Sequence, residues 1–362
     1  MGSLGLLPLL KVDPTTVPDA RAYMYARLPS IVPVFVFLAA KTYHQAAGRT
    51  RAAVEGVIVA NVVHAIAAWV AVFGDAGLQR LGLPALGVPA FGAAGAGIAT
   101  SMSHAVLAAW MIGPRARVPE GARDALREGE RVDPSEQRRI ERKLLRLGFP
   151  IGLQLAAEVG IFSFVALLMG RIGGRAAAAH QIAINLASLS FMGALGIAQA
   201  TSVRVGTAIG EGYAEGAEAG AARRDARRAG FVGIALGVSI MAGWALLFAV
   251  APRLLARAFS PDEPVIVVAT TLIQIAALFQ LADGAQVVAA GALRGAADTR
   301  WPLMLNVVVH WGFGLPVGWW LAFHRGWGAV GLWLGLTAGL FVIAASLIAR
   351  FVILTRRSIA RA

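Results

Sequence analysis

Glu158 and Asp283 are carboxylates set near the middle of long stretches that carry no other charge. Glu158 lies twelve residues after Arg146 and thirteen before Arg171, and Asp283 lies twenty after Glu263 and eleven before Arg294. An ionisable group at the centre of a membrane-spanning helix costs roughly 2.5–3.5 kcal/mol on insertion scales, so such a group faces a cavity and marks an ion or substrate path. The competing reading is a protonated acid hydrogen-bonded to a neighbouring helix. Each acid has polar company at helical spacing: Gln154 one turn before Glu158, and Gln280 and Gln286 three residues either side of Asp283, with Phe279 four before it. A third polar stripe, Gln181, Asn185 and Ser188, could close a pocket with them, although interhelical hydrogen bonds worth about 0.6–2 kcal/mol explain such a stripe equally simply. Phe279 and Phe191 offer ring faces to a cationic ligand, or simply pack.

The elements that must hold these residues are membrane helices. The chain is 57% hydrophobic, above the 45–50% usual for soluble domains, and its mean hydropathy is +0.67. Uncharged windows run over 28–40, 56–74, 81–114, 147–170 (broken by Glu158), 176–203, 229–252, 264–293 (broken by Asp283), 301–324 and 326–349. Together they predict an all-α polytopic membrane protein of about nine transmembrane helices. The first window is only 13 residues long and contains Pro29 and Pro33, so its helix must borrow Tyr23 to Ala26.

The net charge of +13 raises the question of nucleic acid, and the positions of the bases answer it. With nine spans, 24 of the 33 Lys and Arg residues fall on one side. That asymmetry is a topology signal, without aromatic residues interleaved for bases, and it predicts a cytoplasmic C-terminus, an external N-terminus and no nucleic-acid partner. The mixed-charge segment 115–146 reads as a cytoplasmic linker between a partial N-lobe of three helices (1–114) and a C-lobe of six (147–362). There is no cysteine, which excludes thiolate metal sites and disulfides. No histidine pair has metalloprotease or HxxxH spacing, so no metal site is expected beyond a coupling ion at the two acids. His310, inside the eighth window, reads either as a proton relay or as a hydrogen-bonded bundle residue.

A loose internal repeat adds to this. Gly48-Arg49-Thr50-Arg51, Asn61-Val62-Val63-His64 and Gly95-Ala96-Gly97 are echoed by Ala297-Asp298-Thr299-Arg300, Asn306-Val307-Val308-Val309-His310 and Gly328-Ala329-Val330-Gly331. On that alignment spans one to three match spans seven to nine, and spans four to six have no upstream partner. Two related halves of six spans, with the first three helices absent, would produce this pattern.

The run from Ala179-His180-Gln181 through Gly196-Ile197-Ala198-Gln199-Ala200-Thr201-Ser202 to Gly206 resembles the multidrug and toxic compound extrusion (MATE) family, in its NorM-like branch. So do Leu281-Ala282-Asp283-Gly284-Ala285-Gln286, Leu293-Arg294-Gly295-Ala296-Ala297-Asp298-Thr299-Arg300, Trp311 and Leu315-Pro316. The likeness runs from about residue 12 to the C-terminus, and it implies a two-lobe bundle of which this chain matches the fourth to twelfth helices. It also implies an inner-membrane secondary antiporter exporting organic, often cationic, compounds in exchange for Na⁺ or H⁺. Glu158 and Asp283 match the acids of the C-lobe cation site on the seventh and tenth family helices. The first family helix and its acid have no counterpart here. His64 stands where the family often has Asn, and Phe279 stands where it often has Tyr, keeping the ring without its hydroxyl.

The expected site is therefore Glu158, Asp283, Gln154, Gln280, Phe279, Gln181 and Asn185, with Arg294 and Asp298 locking a cytoplasmic loop, no cofactor other than the coupling ion, and drug-like small molecules, the bilayer and the absent N-terminal helices as partners. Three rival readings are a fragment that does not transport, a lipid-linked precursor flippase of the wider superfamily, and an integral-membrane enzyme. A flippase cavity should hold basic residues at mid-depth, which the clear windows lack, and an enzyme needs clustered catalytic residues at the membrane face.

Overall fold

The computed structural model describes residues 17–46, 51–113, 134–214 and 219–356. Every regular element among them is helical, and the chain divides into two compact units, residues 1–131 and 132–362. Among the described residues, eight helices are long and apolar enough to cross a membrane.

In the first unit, α1 (Val17–Arg27), a 3₁₀ turn (Leu28–Ser30) and α2 (Ile31–Ala46) form one composite span, because Pro29 cannot supply an amide to a continuous ladder. The first window does borrow Tyr23 to Ala26, and the exposed Arg27 donates to the Tyr23 hydroxyl at 3.0 Å. Helix α3 (Arg51–Arg80) breaks at Gly74, whose φ of +57° suits a residue without Cβ. Directly after the break, the Asp75 carboxylate accepts the amides of Leu86, Gly87 and Val88, each at 3.0 Å, and fixes the loop into α4 (Gly92–Ile112). Helix α4 is sewn to its neighbours by hydroxyls: Ser101 donates to the Ala26 carbonyl at 2.8 Å and Ser103 to that of Ala60 at 2.9 Å.

The second unit begins with α5 (Pro134–Ile172): the later part of the expected linker, residues 134–146, is helix continuous with the span that follows, and 114–133 lie outside the described residues. Pro134 suits a first helical position, and the segment that follows is rich in helix formers braced by Gln137–Glu141 and Arg139–Glu136 contacts. There follow α6 (Gly174–Ala214), α7 (Ala219–Val250), the short α8 (Pro252–Phe259) and α9 (Glu263–Gly295). Helix α9 is the hub, packed on α6, α7 and α12 (Gly328–Arg356), and 56% of its most apolar window is buried. Glycine permits the close approach. A Cβ on Gly291 would run into the Ala198 carbonyl of α6.

The window 301–324 is not one α-helix. It divides into α10 (Arg300–Leu305), a π-helical segment (Asn306–Gly314) and α11 (Leu315–Phe323). Pro302, Pro316 and the glycines between them weaken the α-ladder, and the freed backbone groups re-pair at wider spacing. The Gly314–Gly318 edge of this element meets the Gly331–Gly335–Gly339 edge of α12 so closely that a Cβ on Gly335 would collide with the Gly318 backbone.

Candidate functional site

Helix α9 carries Asp283 at a point where its whole circumference is covered. From Ala282 to Leu293 every residue is buried, and Asp283 itself is 5% exposed. Just beyond it, the Gly284–Gly237 and Gly291–Ala198 contacts hold α9 closely against α7 and α6. No hydrogen bond from a described residue reaches the Asp283 carboxylate. Flanking Gln280 is fully buried and donates to the Ser190 hydroxyl at 2.6 Å, and Ser190 in turn donates to the Ala187 carbonyl at 2.7 Å. The side-chain carbonyl oxygens of Gln280 and Gln286 have no donor.

Glu158 stands on α5 two turns past Pro150, whose missing amide releases the Arg146 carbonyl from the ladder. It is half-buried, in electrostatic reach of both Asp283 and Arg294. Gln154, one turn earlier, is buried with its carbonyl oxygen unpartnered. The two acids predicted from sequence are thus brought within range of one another, with three glutamine oxygens nearby in the chain that lack donors. Buried polar atoms of this kind are rare and costly unless something else occupies their lone pairs.

Phe279 is buried, but its ring lies edge-on to Phe162 (6.1 Å) and Trp333 (5.7 Å), and Trp333 donates to His180 at 3.2 Å. Its face is committed to an aromatic cluster. Gln181 and Asn185 are exposed and bonded to each other at 3.1 Å. The α6 side chain that hydrogen-bonds to the Asp283 helix is that of Ser190, nine residues on from Gln181 and so about half a turn round the helix. Arg294 and Asp298 do not pair. Arg294 is within electrostatic reach of Glu158, whereas Asp298 accepts from Arg350 on α12 at 2.8 Å and from the Trp301 amide at 3.4 Å, with the Arg350 guanidinium 5.0 Å over the Trp301 ring. The turn between them ends α9 in a Schellman motif: Asp298 N–H bonds the Leu293 carbonyl, Ala297 N–H that of Arg294, and Ala297 adopts φ +61°.

Asn306 and His310 on the π-segment were not placed in the site by sequence. Both are essentially solvent-free, and all four of their side-chain polar nitrogen and oxygen atoms lack partners among the described residues. Trp311 beside them donates to the Ala157 carbonyl at 3.3 Å and covers Gly160, which lays the π-segment against α5 on either side of Glu158. The available signal was the polar pair itself, one turn apart in an uncharged run. Among the described residues no group of three His, Asp or Glu side chains is arranged to hold a metal ion.

A family model for MatE matches residues 150–320, a span that includes both acids. The probable multidrug resistance protein NorM of Mesorhizobium japonicum is 39% identical over 344 residues, covering 94% of this chain and 69% of the relative. The chain belongs to the MATE family of transporters, in its NorM-like branch. The Deinococcus radiodurans probable multidrug resistance protein NorM is 41% identical, over 92% of this chain and 69% of its own length. The family fold is also visible in solved structures. An outward-facing multidrug resistance MATE family transporter superposes with a TM-score of 0.81 at 16% identity, over 99% of this chain and 74% of that one. The eukaryotic MATE transporter AtDTX14 superposes at 0.78 and 20% identity, over 97% and 72%. This MATE-family chain is a multi-pass membrane protein whose acid-bearing helices form the core of its second unit.

Proposed function

We propose that the chain exports organic, chiefly cationic, compounds across the cytoplasmic membrane in exchange for Na⁺ or H⁺, with Glu158 and Asp283 as the shared binding groups. The carrying observation is the buried Asp283 carboxylate: among the described residues it has no hydrogen-bond donor, it feels the charge of Glu158, and it is flanked by glutamine oxygens that also have no donor there. Two carboxylates surrounded by vacant acceptor oxygens form a site for a positive charge. A proton neutralises one acid; Na⁺ takes oxygen ligands from several groups; a cationic drug competes with either, and that competition links the two fluxes. Gln154, Gln280 and Gln286 supply acceptor oxygens, and Asn306 and His310 stand on the element that adjoins Glu158. Alternating access exposes such a site to each side in turn; the π-segment and Pro150 are the points where the helices around it are weakest. The excess of Lys and Arg on one side supports a cytoplasmic C-terminus.

The test is ethidium efflux from energised inverted vesicles under separately imposed Na⁺ and H⁺ gradients. Glu158→Gln and Asp283→Asn should each reduce gradient-driven efflux to the level of vesicles without the protein, while both variants still insert. Undiminished efflux in both variants sinks the assignment.

A further inference from the structure

The first three turns of α5, ahead of the uncharged run that starts at residue 147, do not belong to the site above. With the turn 297–300 they enclose a recess of about 1110 Å³. Arg138, Arg142, Lys143 and Arg146 line it from the helix and Arg300 from the turn. Its two acids are already used, Glu136 by Arg139 at 3.3 Å and Asp298 by Arg350 at 2.8 Å. The five bases have no ion-pair partner among the described residues. Arg138, Arg142 and Arg146 are four apart on one helix face, an arrangement in which like charges repel and weaken the helix unless an anion is held between them.

The second observation concerns what surrounds these charges. The same segment exposes Ile140, Leu144, Leu145 and Phe149, the last three each 65–71% exposed. The charges stop at Arg146 and the apolar span begins one residue later, so the recess lies at the boundary between water and hydrocarbon. A segment with bases toward a recess and uncovered apolar side chains beside it suits a ligand with an anionic head and apolar chains. Free phosphate would satisfy the bases and leave Leu144, Leu145 and Phe149 uncovered.

We propose that this recess binds the phosphate of an anionic phospholipid from the adjoining leaflet, with the acyl chains lying along Leu144, Leu145 and Phe149. The bases act in concert, and Arg300 ties the lipid to the turn that joins α9 to α10. On the orientation given above this leaflet is the cytoplasmic one, but binding in a symmetric bilayer or micelle does not depend on that orientation or on transport.

The experiment is native mass spectrometry of the full chain in detergent, titrated with phosphatidylglycerol or with phosphatidylcholine of the same acyl chains. The expected result is retention of phosphatidylglycerol over phosphatidylcholine, weakened by salt and by about fivefold for each base removed in Arg142→Gln, Arg146→Gln and Arg300→Gln. Arg171→Gln and Arg175→Gln, elsewhere on the surface, should leave retention unchanged. Leu144→Ser with Phe149→Ser should weaken it without altering the salt dependence. Equal retention of the two lipids by the unaltered protein overturns the proposal, and that measurement needs no variant to fold. Displacement of the lipid by equimolar inorganic phosphate overturns the lipid source and identifies a soluble phosphate site instead. Unchanged retention in the combined base variant assigns the preference to general charge and likewise overturns the recess.

Discussion

Asp75 and Asp283 both lie in long apolar helices, and the chain treats them in opposite ways. Asp75 follows a backbone break and receives three amides, so its charge is consumed in holding a loop. Asp283 lies in unbroken helix, is buried on all sides, and receives no hydrogen bond from any described residue. The polar groups around them are satisfied unevenly. In the first unit the Ser103 hydroxyl closes on the Ala60 carbonyl, while one ring nitrogen each of His44 and His104 is kept from solvent without a partner among the described residues. In the second, most of the unpartnered atoms lie on the helices that carry or adjoin the two acids, at Gln154, Gln280, Gln286, Asn306 and His310. Burial differs too: only 11% of the most apolar window of α3 is buried, against 56% for α9, and Val32, Phe35, Ile58 and Ile66 leave the first unit's helices greasy on their outer faces. A carboxylate with its donors in place is structural, whereas one kept dry and unpaired by a tight frame is the group we propose for ligand binding.

The contrast can be broken most directly at the two aspartates. Asp283→Asn is expected to abolish ion-driven ethidium efflux, and Asp75→Asn, which keeps an acceptor for the loop amides, should leave most of it. Loss of efflux in both would erase the distinction. Next in size is the frame. Gly335→Ala forces a Cβ against the Gly318 backbone and should cost about 1–3 kcal/mol, read as a lowered thermal midpoint, while Gly152→Ala, which meets nothing within 4 Å, should cost nothing measurable. Asn306→Leu sharpens the functional side. Removing an unsatisfied buried amide should leave stability unchanged or raise it by about 1 kcal/mol, yet reduce gradient-driven efflux; a destabilised variant with normal efflux would mean that Asn306 is structural after all. The smallest effect belongs to Ser103→Ala in the first unit, a loss of about 0.6 kcal/mol with efflux unchanged.

What could be read from the sequence follows from how far apart the interacting residues lie. Glu158 and Asp283 announce themselves because a charge inside an uncharged run is a one-dimensional signal, and the same logic located the spans. Gln280 and Gln286 came with them by helical spacing. Ser190 could not be found this way, since its partner Gln280 is 90 residues distant and the more conspicuous stripe of Gln181 and Asn185 occupies a different face of α6. Asp298 was singled out with Arg294, its neighbour in sequence, but binds Arg350, which is 52 residues further on. The charged stretch 134–146 read as a solvated connector between lobes, and its Arg, Lys, Glu and Leu residues, good helix formers, fold as the first turns of α5. The π-segment was invisible because composition does not distinguish i→i+5 from i→i+4 bonding.

That segment makes part of the site depend on a count rather than on an identity. A π-helix accommodates extra chain within the same run of helix, so excising the codon for Val308 gives the ladder a chance to close as an ordinary α-helix. Each residue removed turns whatever follows by about 100°. Asn306 and His310 would then face different directions with every side chain near them unaltered, and a one-residue deletion should mimic the loss of a binding group.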